Sequence, residues 1–327
     1  MRAVRFHAHG PPADVLRVDE VETPEPGPGE VRIRLTHRPV NPADLSAVAG
    51  TYGLLRGLPA VGGNEGVGFV EALGAGVEGL SLGQRVVKLG DAPTWQESVV
   101  VQAADALAVQ DGLADEAAAQ LFVNTLTAHL LLNAAPGLTA GDTIILTAGG
   151  STVSRIVAQM AVLRGLKPVA LVRSGTHTEV LRALGMAVVV GEADTPEARS
   201  ALRDAAGERG AAAVFDAVAG DAGTLALSAL GDGGVHVVYG ALSRAPLTLS
   251  PAALLYRGVT VRGVWRTRWF RETPRSVSLP VLTALARDAA AGVFTLPVHA
   301  TFDLADIADA VRASTAPGHV GKVLLTG

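Results

Sequence analysis

Tyr52 stands between glycines in Gly50-Thr51-Tyr52-Gly53, shortly before Leu58-Pro59-Ala60-Val61-Gly62-Gly63-Asn64-Glu65-Gly66-Val67-Gly68. A phenol, with a pKa of about 10, can protonate a strongly basic enolate without metal assistance. A packed loop tyrosine is the plainer reading of the same residue. Asn64 offers an amide, whereas zinc sites take Cys, His or carboxylate. The chain has no cysteine, which excludes disulfides, thiolate nucleophiles and cysteine-held metals. Its 8 histidines show no ligand spacing, so no metal site is expected. Asn64 and Glu65 read as loop anchors that act through hydrogen bonds, with an arginine as the expected partner of Glu65.

A second constellation is Leu146-Thr147-Ala148-Gly149-Gly150-Ser151-Thr152-Val153-Ser154, which joins an apolar strand to a helix. Glycines let a backbone approach a pyrophosphate, and free N–H groups at a helix start favour its charge. A strand–turn–helix without a ligand is the competing reading. Ser154 stands where a third glycine is usual and is expected to push the helix out slightly. Arg173 closes the next strand in Val172-Arg173-Ser174-Gly175-Thr176-His177, with no carboxylate before Glu179. An acidic residue there would suit the ribose 2′-hydroxyl of NADH. An arginine fork suits a 2′-phosphate, so NADPH is preferred over a bare surface arginine.

These residues need two kinds of scaffold. The first ~115 residues carry short β-like runs broken by Gly and Pro: Val31-Arg32-Ile33-Arg34-Leu35 with period two, then 66–72 and 85–89. From about Leu113, apolar strands alternate with helical segments. Strands are expected at 143–147, 167–173, 187–190, 213–216 and 235–239, and helices at 153–164 and from about 176. Repeated βα units imply a parallel sheet flanked by helices. After about Gly263 come a long Ala-rich helix (276–291), a strand (296–302), a helix (306–313) and a last strand (322–325). This tail is expected to rejoin the first domain, with a cleft between the domains. The fold is thus α/β: a β-rich domain of residues 1–117 with 264–327, and a parallel-sheet domain of residues 118–263.

The 327 residues are 49% apolar and carry a net charge of −4. Neither nucleic acid nor an acidic membrane is implied. Met1-Arg2-Ala3-Val4-Arg5-Phe6 reads as a strand rather than a signal peptide, and no run approaches a membrane span. A cytoplasmic location is the expectation.

Matches in one order along nearly the whole chain resemble the zinc-free medium-chain reductases, and among them the 2-enoyl thioester reductases. They are Val40-Asn41-Pro42-Ala43-Asp44-Leu45, the Tyr52 loop, 58–67, Thr94-Trp95, Asn124 with Thr127-Ala128, Tyr239-Gly240, Arg262-Gly263 with Trp265, and Gly321-Lys322. Where a zinc alcohol dehydrogenase carries Gly-His-Glu, this chain has Asn64. The resemblance implies a GroES-like catalytic domain, a Rossmann cofactor domain and a homodimer. It implies hydride transfer from NADPH to the β-carbon of a 2-enoyl-CoA or 2-enoyl-acyl-carrier-protein, with Tyr52 as the proton donor. The cofactor positions it implies are Asn41, Asn124, Thr127, Gly149, Gly150, Ser151, Thr152, Val153, Arg173, Tyr239, Gly240, Ala241, Leu242, Val264, Arg266 and Lys322. A backbone N–H near Trp265 is a candidate donor to the enolate oxygen. The chain departs from the family pattern at Thr125, His129, Ser154 and Pro93, and in having no second basic residue after Arg173.

Trp265 and Trp269 would share one face if helical, for domain-junction packing or for an acyl pocket. Arg266, Arg268 and Arg271 beside them would meet a CoA phosphate or an acidic carrier protein, or form a solvated rim. The leading expectation is an NADPH-dependent enoyl thioester reductase of fatty acid metabolism. A quinone or enone reductase, which needs no dedicated acid, is the alternative. A cofactor-binding sensor without vigorous catalysis, to which only Ser154 points, is the third.

Overall fold

The computed structural model describes residues 1–109, 112–191 and 193–327. The chain forms two compact units, Met1–Leu126 with Thr267–Gly327, and Thr127–Arg266.

In the first unit the strands before the insertion are β1 (Arg2–Phe6), β2 (Leu16–Glu20), β3 (Glu30–Pro39), β4 (Ala60–Val61), β5 (Gly66–Leu73), β6 (Arg85–Lys88), β7 (Ser98–Gln102) and β8 (Ala106–Ala108). The alternation read in 31–35 is the buried face of β3: Val31, Ile33 and Leu35 are buried with Val70, Val86, Val99 and Val101. Full burial of one such side chain stabilises by about 1.5–3 kcal/mol, which fixes the register against β5 and β7.

The second unit holds β9 (Thr143–Leu146), β10 (Lys167–Val172), β11 (Ala187–Val190), β12 (Ala211–Asp216), β13 (Leu230–Val238) and β14 (Thr260–Gly263). They form one parallel sheet in the order β11-β10-β9-β12-β13-β14. Counted from β9 this is 3-2-1-4-5-6, the Rossmann order, whose direction reverses between β9 and β12 and whose ligands bind beyond the strand C-termini there. All four residues of β9 are buried, as a central parallel strand requires.

The tail returns to the first unit as β15 (Val298–Asp303) and β16 (Lys322–Thr326), and β16 pairs with β3. Helix Ile307–Thr315 buries Ile307, Ala310 and Val311 in a core with Val4, Phe6, Trp95 and Leu325. Trp95 explains the Gly62-Gly63 pair. A Cβ on Gly62 would lie 2.2 Å from its Cε3 and one on Gly63 2.4 Å from its Cδ1, so only glycine lets the indole lie against this backbone. The indole Nε1 donates to the Pro39 carbonyl at 3.1 Å.

The Trp265–Trp269 pattern resolves differently from the expectation. The helix is Arg266–Glu272, so Trp269 lies inside it while Trp265 directly precedes it, and the condition for a shared helical face is not met. The charged neighbours also part company: Arg266 is buried, Arg268 is exposed, and Arg271 pairs with Asp91 at 2.6 Å.

Candidate active site

In the first unit, residues far apart in sequence converge on a buried polar cluster. Asn41 precedes helix Pro42–Val48, and its backbone N–H donates to the Asp44 carboxylate at 2.8 Å. Asn64 and Glu65 lie between β4 and β5. Glu65 Oε1 accepts from Asn41 Nδ2 at 2.8 Å and Asn124 Nδ2 at 3.2 Å, and its Oε2 accepts from the Val123 N–H at 2.6 Å. Val123 and Asn124 belong to a π-helical turn, Leu121–Thr125, a distortion that recurs at functional sites. The Asn64 amide donates to Asp44 and accepts from Arg56 Nη2 at 3.2 Å. Among the described residues, no arginine meets Glu65. The expected partner is replaced by two amides and a backbone N–H, with the Lys322 charge facing it.

The electrostatics follow from burial. Glu65 and Asp44 are almost fully buried. Desolvation pushes the Glu65 carboxyl up to about 7, against the hydrogen bonds from Val123 and Asn41 and the charge of Lys322. It pushes Asp44 up to about 6, against Asn41, Arg56 and Asn64. Burial also lowers the Lys322 ammonium, while Glu65 and Asp44 hold its proton on. Opposed charges thus share the cost of burial.

Tyr52 lies on the wall of a cavity of about 350 Å³, with Arg56, Asn64, Asp91, Thr267 and Arg271 among the other lining residues. Its hydroxyl is 3.4 Å from Thr267 Oγ1. Arg56 is clamped by the carbonyls of Val61 (2.9 Å), Gly63 (3.3 Å) and Asp91 (3.3 Å). A phenol and a fixed guanidinium thus face one space large enough for part of a small molecule. Among the described residues, no three His, Cys, Asp or Glu form a group that could hold a metal ion.

In the second unit the turn after β9 is built for close backbone approach. Ala148 takes the left-handed conformation at φ +46°, a strain that persists only where the surroundings enforce it. A Cβ on Gly149 would lie 2.6 Å from that of Ala170, whereas one on Gly150 would meet nothing within 4 Å. One glycine packs and the next leaves room. Ser151 caps helix Thr152–Leu163 by accepting from the Ser154 N–H at 3.3 Å. Ser154, fully buried, donates through its hydroxyl to the Thr147 carbonyl at 3.3 Å, so the turn absorbs the extra side chain.

Thr147 and Asp216 tie β9 to β12 where the strand order reverses. Thr147 Oγ1 donates to Asp216 at 2.7 Å and accepts from the Ala217 N–H at 2.8 Å. The other Asp216 oxygen faces His236 Nε2 at 3.0 Å, both side chains being fully buried. Tyr239 follows β13. Its hydroxyl is buried without a hydrogen bond, although the Ser154 and Ser151 hydroxyls lie toward it. Burial pushes this phenol up to about 12, those two serines opposing. Arg173 is exposed at the end of β10, and among the described residues it has neither an ion pair nor a hydrogen bond. An open cradle, a buried phenol without a partner and a free guanidinium together fit an anionic dinucleotide.

The residues singled out in the sequence therefore fall into two groups. Tyr52, Asn41, Asn124 and Lys322 are in the first unit, and all but Tyr52 share the Glu65 cluster. Gly149 to Val153, Arg173, Tyr239 to Leu242, Val264, Trp265 and Arg266 are in the second. Of these, Ser151 and Tyr239 are brought to one place, and Arg173 stands apart at its strand end. Thr127 is buried on helix Leu126–Ala134 in the second unit. Sequence reasoning missed Arg56 and Arg155, whose charge gave no sign of burial.

Residues 27–111 match the alcohol dehydrogenase GroES-like domain and residues 152–281 the zinc-binding dehydrogenase family. The chain is 32% identical to the mitochondrial enoyl-[acyl-carrier-protein] reductase of Bos taurus over 333 aligned positions, covering 100% of this chain and 88% of that protein. It superimposes on the mycobacterial protein Rv1454c complexed with NADPH with a TM-score of 0.90 at 28% identity, all of both chains covered. A mycobacterial quinone oxidoreductase gives a TM-score of 0.85, also at 28% identity and with full coverage of both.

Proposed function

Because the chain belongs to the medium-chain dehydrogenase/reductase superfamily, as an oxidoreductase akin to the enoyl reductases, we propose that it reduces the 2,3 double bond of 2-enoyl thioesters with NADPH. The observation that carries this reading is Tyr52, a phenol on the wall of a 350 Å³ cavity beside Arg56. NADPH, when bound, supplies the hydride that reaches the β-carbon. Tyr52 then gives its proton to the α-carbon as the enolate pair forms the new C–H bond, and solvent restores the phenol. Arg56 faces the phenolate left behind, and Thr267 orients the hydroxyl at 3.4 Å. The backbone near Trp265 is the proposed donor to the enolate oxygen. Zinc takes no part: Asn64 is engaged by Asp44 and Arg56 as an amide.

NADPH is favoured over NADH by the free Arg173 guanidinium and by the NADPH held in the similar mycobacterial structure. A homodimer acting in the cytoplasm completes the reading. The one-sided pairing of β14 and the exposed Leu255 and Tyr256 support self-association, and light scattering of the purified protein tests it.

The second reading, reduction of quinones or enones, is favoured by the likeness to the quinone oxidoreductase. Tyr52→Phe separates the two. Crotonyl-CoA turnover should fall by about 10²–10⁴-fold, the range of general acid catalysis, while a simple quinone is affected weakly. Equal survival of both activities would remove Tyr52 from the mechanism.

A further inference from the structure

Arg155 is the fourth residue of helix Thr152–Leu163, one turn inside the glycine cradle. It is only 7% exposed. Its Nε is buried without a hydrogen bond, and among the described residues no acceptor or carboxylate meets either Nη atom. Three other buried cations of this chain have more partners, although Arg38 Nη1 is itself without a hydrogen bond. Arg38 donates to the carbonyls of Gln96, Leu35 and Gly327, Lys88 donates to those of Asn64 and Gly90, and Lys322 faces Glu65 and Asp44. Burial lowers the Arg155 guanidinium with nothing opposing it.

A buried charge without a partner destabilises a fold, and the protein retains this one beside a turn shaped for phosphate. Helical side chains lean toward the helix N-terminus, so a residue at this position reaches back over the Ser151–Thr152 turn. The forked guanidinium matches two phosphate oxygens.

We propose that Arg155 is an anion-binding residue of the dinucleotide site, its missing partner being the pyrophosphate of the cofactor. This rests on the cofactor part of the proposed function and not on the enoyl substrate. It separates two arginines by what they read. Arg155 takes the group common to NADPH and NADH, and Arg173 takes the 2′-phosphate that only NADPH carries.

The test is titration of wild type, Arg155→Met and Arg155→Lys with NADPH and with NADH, by calorimetry and without substrate, alongside thermal unfolding with and without cofactor. Arg155→Met should weaken both cofactors alike, by about tenfold to a hundredfold, as loss of a hydrogen bond to a charged group does. Its cofactor-free Tm should rise and its cofactor-induced Tm shift should shrink. Arg155→Lys, which keeps the charge without the fork, should lose a smaller factor with both. Unchanged affinity in the two variants overturns the proposal, as does a loss confined to NADPH. A lowered cofactor-free Tm with normal affinity would make Arg155 structural. Wild type that binds neither cofactor would sink the proposed function itself, which the variants alone cannot do.

Discussion

The polar groups of the Glu65 cluster in the first unit are closed upon one another, whereas several around the Rossmann turn are left open. Glu65 accepts three N–H groups, and Asp44 engages the Asn41 backbone and the Asn64 side chain. By contrast the Tyr239 hydroxyl and Arg155 Nε are buried without partners, and Arg173 stands free. Satisfied buried networks rigidify a fold, while unsatisfied groups carry a cost that a ligand can remove. The closed cluster is therefore read as scaffold and the open one as a receptor. Mutation should move stability in the first and affinity in the second.

The largest effect is expected from Glu65→Leu. It takes an acceptor from the Asn41 and Asn124 amides and from the Val123 N–H, and it removes the carboxylate that most supports the Lys322 charge. Breaking such a buried charged contact costs about 3–5 kcal/mol. Urea unfolding of the cofactor-free protein should register that loss. A variant as stable as wild type would mean that the cluster carries no structural load.

The sequence made the receptor more legible than the scaffold. The Gly149–Ser154 turn, β9 and the βα alternation are contiguous, and their glycines and apolar runs announce themselves within a dozen residues. The Glu65 cluster is assembled from residues 41, 44, 64–65, 123–124 and 322, and only the fold brings them together. Family resemblance placed Asn41, Asn124 and Lys322 at a site, yet it did not reveal that Glu65 joins them. Trp265 and Trp269 misled because spacing of four matters only inside one helix, and the helix starts at Arg266. Arg155 was invisible because an arginine in a first helical turn reads as solvated; its burial is a tertiary fact.

The closed cluster should also give the protein a pH-dependent stability of definite sign. Burial raises Glu65 from 4.5 to about 7 and Asp44 from 3.8 to about 6. The folded state then binds protons that the unfolded state has lost, so stability falls as pH rises from about 4 to about 7. A loss of about 1–3 kcal/mol across that window is expected. Thermal melts at half-unit steps measure it. Glu65→Gln should be less stable throughout, because one of its polar atoms is a donor facing donors. It should also lose the part of the slope between pH 6 and 7, leaving the Asp44 part below. A wild-type profile that rises over the same range would show both carboxylates ionised in the fold well below these values.

Arg173→Ala should give the smallest effect and the sharpest contrast. The side chain is exposed, at a strand end, and bonded to nothing among the described residues, so its loss should leave the cofactor-free Tm unchanged, as surface substitutions within about 0.5 kcal/mol do. Its effect should appear only with cofactor: about a tenfold rise in the Kd for NADPH, roughly 1.4 kcal/mol, with the Kd for NADH unchanged. Titrating both cofactors against one variant isolates the 2′-phosphate, since the rest of the two molecules is shared. An equal loss for both would place Arg173 on the common part of the dinucleotide and leave the NADPH preference without a residue. A lowered Tm would put Arg173 in the closed class, and the lack of a partner would then no longer separate receptor from scaffold in this chain.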